Sequence, residues 1–505
     1  MRRHSLLFIY TICAVLLASC GTQKKAAEKT IKTHETVATE DTTAVNADID
    51  LPQKDLRAVW IATIGGLDWP RGHFDEKSQK AYYEQYLDTL QRLNINTVFF
   101  QIRPRADAFY ESEYEPWSMY LTWRHDQDPG YDVLRWLIDE THRRGISFHA
   151  WMNPYRIGTR NGRKDKFAPL DDRIPKELVK DYANVRIYNP AMPGTRQRIC
   201  DIVADLLKRY DVDGIHFDDY FYPALAKGEK MNDTKEYQQY GKEFTRIEDF
   251  RRAMVDSLVA NVHKTIKSIR PNVVFSISPQ GNYQNNFGMM YADVEQWSQK
   301  GWCDVIIPQL YWSTEKYFPG RLQWFANHCT SRSKLAVGYA LYRFDGKSHD
   351  PYYRTTDDLT KQFEMADNSN KVSGAVLYSA HWLLDNPLDI DTVIARQFTH
   401  PTLSPYLGQE PEVRPASPKN VLEITAGDSL QLSWQPVSDC YYAIYRTTGK
   451  NREAELETVT YSTSCTVPNF GNYYITAVRK GDNAESEPAN VKFQKSTNLY
   501  GLNSK

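Results

Sequence analysis

What the sequence lacks narrows it first. Its 505 residues carry no surplus of charge: 62 Lys and Arg stand against 63 Asp and Glu, a formal net charge of −1. Without a basic excess there is no global attraction to nucleic acid or to an anionic membrane surface, so no nucleic-acid partner is expected. Cysteine is scarce, seven in all. None falls in a CxxC pair or in the Cys/His spacing of a zinc site, so no metal and no cofactor are expected. Between Gly21 and about Asp50 large apolar residues are nearly missing, and Thr, Ala, Lys and Glu dominate. Such a stretch cannot bury a core and reads as a flexible tether.

Residues 1–20 are of another kind. Arg2 and Arg3 precede an apolar run from Leu6 to Leu17, followed by Ala18, Ser19 and Cys20. This is a secretory signal rather than a spanning helix. The small residues ahead of Cys20 resemble the bacterial lipobox, which implies cleavage before Cys20 and lipidation of its thiol. The mature protein is then expected to hang from a membrane of the bacterial envelope, facing the periplasm. Of the other cysteines, Cys13 is removed with the signal. Cys440 and Cys465 could pair in an oxidising compartment, but five remaining thiols (Cys200, Cys303, Cys329, Cys440, Cys465) is an odd number, and buried free thiols are the expectation.

What is abundant is aromatic: 33 Tyr and 12 Trp. Sugar rings present apolar C–H faces that pack on aromatic rings, so these residues suggest stacking platforms as well as core.

From Leu56 a pattern repeats of an apolar β-branched or aromatic run, a polar loop and a segment of helical period. The runs are Arg57–Ile64, Asn96–Ile102, Ser147–Pro154, Gly214–Tyr220, Val273–Pro279, Asp304–Trp312, Leu335–Arg343 and Gly374–Trp382. Between them lie helical segments. In Thr195–Tyr210 the residues Ile199, Ile202, Val203, Leu206 and Leu207 form one stripe at i, i+3, i+4, i+7 and i+8. Alternation at this count predicts an α/β chain with a (β/α)₈ TIM barrel over residues 51–400. A Pro-rich linker is expected at 401–415. Short alternating strands at 416–495 predict a small all-β sandwich, and Trp434 with Tyr445 resembles a fibronectin type III module, with a tail at 496–505. The sandwich is read as a spacer or as a docking module for other envelope proteins, with glycan binding as the alternative.

The long loops follow the second, third and fourth runs, whereas returns such as Arg144-Gly145 are tight. A barrel enzyme needs this asymmetry, because only its C-terminal face shapes a substrate groove. The fourth run, Gly214–Tyr220, delivers two adjacent carboxylates to that face, Asp218 and Asp219. Strand alternation places His216, Asp218 and Tyr220 on one face and Phe217 and Asp219 on the other. Asp218 is thus the first catalytic candidate and Asp219 the second. Glycoside hydrolysis needs an acid for the leaving oxygen and a second group at the anomeric carbon, about 5 to 10 Å apart. Neighbours in sequence rarely achieve that. None of the remaining loop carboxylates, Asp68, Asp107, Glu111, Glu113, Asp293, Glu295 and Glu315, stands out. If the substrate carries an N-acetyl group, its own carbonyl can serve as nucleophile beside one acid and one polarising Asp. The other strand tips offer a polar and aromatic lining for a sugar chain: Trp69, Arg103, Asp107, Asn153, Tyr155, His216, Tyr220, Gln309, Tyr311, Trp312, Tyr339 and Tyr378.

The segments RAVWIATIGGLDWP, NTVFFQIRPRADAFYESEYEPWSMYLT, FHAWMNPYR, NPAMPGTRQRICDIVADLLKRYDVDGIHFDDYFYP, FSISPQGNY and DVIIPQLYW occur in order between Leu56 and Phe398. Together they resemble the glycosyl-hydrolase-like family 10 proteins. The resemblance implies a (β/α)₈ glycosidase acting on peptidoglycan glycan strands stripped of their peptides. The Asp-Gly-Ile-x-x-Asp core also resembles the chitinase strand-four pattern, with Tyr220 where chitinases place the acid Glu. Two alternatives stay open at this point. One is a non-catalytic glycan-binding lipoprotein. The other is a metal-dependent deacetylase using Asp218 or Asp219 with His216 and either His149 or His381.

Overall fold

The computed structural model describes residues 49–493 apart from 163, 226–228, 230, 449–451 and 491. The signal segment, Cys20, nearly all of the tether and the tail lie outside the described residues.

Eight parallel strands close into a barrel: β1 (Leu56–Ile61), β2 (Thr97–Arg103), β3 (Ser147–Met152), β4 (Gly214–Phe217), β5 (Val274–Ile277), β6 (Val305–Ile306), β7 (Lys334–Ala340) and β8 (Val372–Tyr378). The sheet shuts where β1 pairs with both β2 and β8. Both faces of such a sheet are covered, so its strands are continuous apolar runs rather than half-polar ones. Along each strand side chains alternate between two cores. Inward go Trp60, Phe99, Trp151, Val274, Val305, Ala336 and Val376. Outward go Val98, Phe100, Ile215, Phe217, Leu335 and Val337, under the helices. The predicted stripe of helix Pro193–Arg209 is buried as expected, with Ile199, Ile202, Val203, Leu206 and Leu207 all facing the sheet.

Two strands are shorter than their apolar runs. β4 stops at Phe217 rather than Tyr220, so Asp218 and Asp219 leave the ladder and the alternation rule no longer sorts them. β6 holds only Val305 and Ile306, because Pro308 has no N–H to donate. The chain beyond it keeps its path through single bridges from Gln309 to Gln280 and to Gly338.

The N-terminal face carries a repeated device. The residue just ahead of an even-numbered strand accepts the backbone N–H at or beside the start of the preceding one. Asn96 accepts from Arg57, Asp213 from Phe148 and Asp304 from Phe275, at 3.1, 2.7 and 2.8 Å. Side chains thereby satisfy donors that the staggered sheet edge leaves over.

The long loop after β3 holds a three-stranded antiparallel sheet, Arg156–Thr159, Val185–Tyr188 and Val179–Tyr182, where the sequence predicts loop alone.

The C-terminal region is a sandwich of two four-stranded, mainly antiparallel sheets. Trp434 packs on Tyr442, ring centroids 5.1 Å apart. Alternation along Cys440–Thr447 turns Tyr441 and Tyr445 to the other face, toward Leu403. This face docks on the N-terminal end of the barrel. Tyr461 stacks on His142 at 4.1 Å and 10°, and Lys480 reaches Asp211 at 2.6 Å. Gly145 brings its backbone so close to Val459 that a Cβ would sit 2.9 Å from the valine side chain. The stretch read as a linker is packed as well: Thr402, Leu403, Ser404 and Leu407 are buried. Asp50, at the end of the tether, exchanges backbone hydrogen bonds with Arg452 and Ala454. All five described cysteines are free thiols, and Cys440 and Cys465 do not pair.

Candidate active site

The barrel's C-terminal face opens into a cavity of about 460 Å³, the size of a small-saccharide subsite. Its floor is Trp60 and Trp151, inward residues near the tips of β1 and β3. One wall is aromatic. Tyr311 stacks on Tyr378 at 5.9 Å and 23°, and Tyr342 meets both rings edge-on. Tyr220, Trp382 and His381 complete the mouth, and Gln309 and Ser278 add polar groups.

Both Asp218 and Asp219 line this cavity. Asp218 is buried at the floor. Its Oδ2 accepts the indole N–H of Trp151 at 3.0 Å and the amide of Asn153 at 3.4 Å, and its Oδ1 accepts the backbone N–H of Tyr220 at 3.4 Å. Burial, and then the charge of Asp219, push Asp218 up to about 7, against partial relief from Arg156 and Trp151. Asp219 is more open, and the amide of Gln309 donates to it at 3.3 Å. Burial raises it too. Two carboxylates this close do not both ionise readily, so the pair carries a proton into the neutral range.

The other expected site residues divide into three groups. Tyr220, Gln309, Tyr311 and Tyr378 line the cavity with the two carboxylates. Asn153 lies one step behind, holding Asp218 with its amide while its carbonyl oxygen accepts the N–H of Arg156 at 2.8 Å. His216 is also behind. Trp60 donates to its Nε2 at 3.0 Å and Ser276 Oγ bonds its Nδ1 at 2.8 Å, so neither ring nitrogen is free to ligate a metal. Among the described residues no group of three His, Cys, Asp or Glu could hold a metal ion.

The structure turns the remaining six away from the cavity. Trp69 packs on Phe100 and Phe109 and donates to the carbonyl of Gln79. Arg103 is fully buried in an ion pair with Glu115 at 2.5 Å. Asp107 accepts from Ser118 and from the backbone of Arg105. Tyr155 packs on Phe221 in the outer core. Tyr339 has the parity of Leu335 and Val337, so it faces outward onto Phe363 at 4.4 Å. Trp312 lies near the mouth, but one face of its ring is covered by Arg321 at 3.5 Å.

Sequence reasoning passed over Trp60, Trp151 and Ser379 as lining residues. The first two carried a usable signal, inward parity near a strand tip. It also missed that Asp68 is a support. This buried carboxylate bonds His381 Nδ1 and accepts from Ser379 Oγ at 2.8 Å and the N–H of Ala62 at 2.6 Å, fixing β1 to the end of β8 under the mouth.

Comparison with known proteins identifies the family. A family model described as Glycosyl hydrolase-like 10 matches residues 55–351. Glycosyl hydrolase YngK of Bacillus subtilis is 36% identical over 435 residues, spanning 80% of this chain and 85% of that protein. Glycosyl hydrolase DigH of Escherichia coli K12 is 33% identical over 368 residues, spanning 65% of this chain and 83% of that protein. Among solved structures, the PgaB (BpsB) glycoside hydrolase domain from Bordetella bronchiseptica aligns with a TM-score of 0.46 and 12% identity, over 68% of this chain and 98% of that domain. The chain belongs to the glycosyl hydrolase-like 10 family and is a glycoside hydrolase.

Proposed function

We propose that the enzyme hydrolyses glycosidic bonds beside N-acetylated sugars in peptide-free peptidoglycan strands, with the substrate's own acetamido carbonyl as nucleophile. One observation carries this reading: the only carboxylates lining the cavity, among the described residues, are the neighbours Asp218 and Asp219. Neighbours in sequence rarely flank a glycosidic bond from opposite sides, which favours the substrate's own acetamido group over a second protein group as the nucleophile.

In this mechanism Asp218, which keeps its proton up to about 7, gives it to the glycosidic oxygen as the C1–O bond breaks and the bonding electrons pass to that oxygen. The acetamido oxygen closes onto C1 to give a cyclic oxazolinium ion. Asp219 accepts the acetamido N–H and balances the positive charge that develops. Asp218, now ionised, takes a proton from water as the water opens the ring at C1, which restores the starting state. The two inversions at C1 leave the anomeric configuration retained.

The aromatic wall suits sugar faces, and the neutral overall charge is no obstacle to a long glycan. We place the mature protein in the bacterial envelope, held by a lipid on Cys20. Loss of fatty-acid labelling in Cys20→Ser tests that placement by itself.

The test of the function is digestion of peptide-free strands and of intact sacculi by the chain lacking residues 1–20, followed by mass spectrometry and by NMR of the first anomer released. Short saccharides of retained configuration support the reading. Inverted product contradicts the nucleophile assigned, and an absence of product from both substrates contradicts the substrate.

A further inference from the structure

Three arginines on the C-terminal side of the barrel stack on aromatic rings rather than on carboxylates. Arg156 follows β3 and lays its guanidinium over the Tyr220 ring, Cζ 3.4 Å from the centroid. Arg321, in the helix Phe318–His328 that follows β6, covers Trp312. Arg343, just beyond β7, lies between Tyr342 at 5.6 Å and Tyr353 at 5.2 Å. None of the three has a carboxylate partner among the described residues, and Nη1 of Arg321 and Nε of Arg343 are buried without any hydrogen-bond partner.

Arg156 is the one that bears on the chemistry. Tyr220 lines the cavity and is 43% exposed, and the guanidinium lies on its ring next to the residues that line the cavity. It is near enough to Asp218 and Asp219 to lower the proton affinity of both, yet it pairs with neither. A guanidinium stacked on a ring keeps its plane fixed and its edge donors free, the geometry that receives a carboxylate on two parallel hydrogen bonds. A substrate carboxylate approaching two acidic side chains would be repelled unless a cation met it first.

We propose that Arg156 binds a free carboxylate carried by the sugar chain next to the scissile bond, and so selects glycans whose carboxylates are unsubstituted. This rests on the peptidoglycan reading above. In that polymer the lactyl ether of alternate sugars is a free carboxylate once the peptide is gone, and an uncharged amide while the peptide is attached. The same cation would then distinguish stripped from peptide-bearing strands.

The test compares peptide-free strands with the same strands after carbodiimide coupling to methylamine, which replaces each carboxylate by a small neutral amide. Wild type should lose about 10- to 100-fold in kcat/KM on amidation, the range of one charge-assisted hydrogen-bonded pair. Arg156→Gln should lose a similar factor on untreated strands and lose little more on amidated ones, while Arg156→Lys should recover part of the difference. Equal loss on both substrates, or equal wild-type rates on both, overturns the proposal and leaves Arg156 as a group that only tunes the carboxylate pair. Binding is read independently of turnover by tryptophan fluorescence of Asp218→Asn. If neither strand is cleaved, the peptidoglycan reading fails. Weaker binding of the amidated strand then still supports the carboxylate contact, and equal or absent binding overturns it.

Discussion

Trp151 on β3 donates its indole N–H to Asp218, beyond the tip of β4, across 3.0 Å. A residue that is floor to the cavity thus also sets the proton affinity of its deepest carboxylate. The hydrogen bond favours the ionised form and works against burial. Trp151→Phe keeps the ring and removes the donor. The alkaline limb of the kcat/KM profile should then move up by about one unit, because a hydrogen bond to a charged group is worth about 1.5 kcal/mol or more and one unit is about 1.4 kcal/mol. An unmoved limb would detach Trp151 from the titration.

Stability should depend on pH through the same carboxylate. Asp218 is held up to about 7 when folded, against 3.8 for an ordinary Asp, so between those values the folded protein binds a proton that the unfolded chain releases. Its contribution to stability is complete below the unfolded value and is lost as pH rises through the folded one. Asp218→Asn removes the ionisation. The variant should melt above wild type at about pH 8, on the order of a few kcal/mol more stable, and converge with it near pH 4. Asp256, also raised to about 7 and bonded to Trp297, is present in both proteins and cancels in the comparison. A constant difference across pH would contradict the burial argument.

The sandwich should behave as part of the barrel's own fold. Tyr461 lies between His142 of the barrel and Tyr441 of the sandwich, with centroids at 4.1 and 5.0 Å. Tyr461 is half-buried, so Tyr461→Ala should cost about 1 to 2 kcal/mol, less than a fully buried aromatic cut to Ala. Gly145→Ala should also destabilise, since Gly145 has φ +72° and its Cβ would press on Val459. Calorimetry of the wild type should give one transition, whereas two well-separated transitions would mean that the interface is weak.

Much of this architecture was legible in the sequence for one physical reason. Parallel barrel strands are buried on both faces, and runs such as Thr97–Arg103 and Val372–Tyr378 stand out as apolar against the helices between them. The carboxylate pair was legible because it sits where such a run ends. Which aromatics face the cavity was harder to read. Nearness to a strand tip suggested Tyr339 and Trp69, but parity sends Tyr339 outward with Val337, and Trp69 lies in a loop that parity does not govern. Trp60 and Trp151, on the inward parity, are the floor instead. The pairing of Asp68 with His381 joins residues 313 apart, and nothing local to either one announces the other. The docking face of the sandwich is similarly silent, since Tyr441 and Tyr445 read as ordinary strand residues and Tyr461 as part of a turn until the fold brings the barrel against this face.

The most direct test is the rate of release of saccharides from peptide-free strands by wild type, Asp218→Asn and Asp219→Asn across the neutral pH range. If the pair supplies the proton and orients the nucleophile, both variants should fall by about 10²- to 10⁴-fold, and wild-type kcat should decline as pH rises through about 7 while Asp218 loses its proton. Activity that survives both substitutions would place the chemistry elsewhere in the barrel and contradict the account.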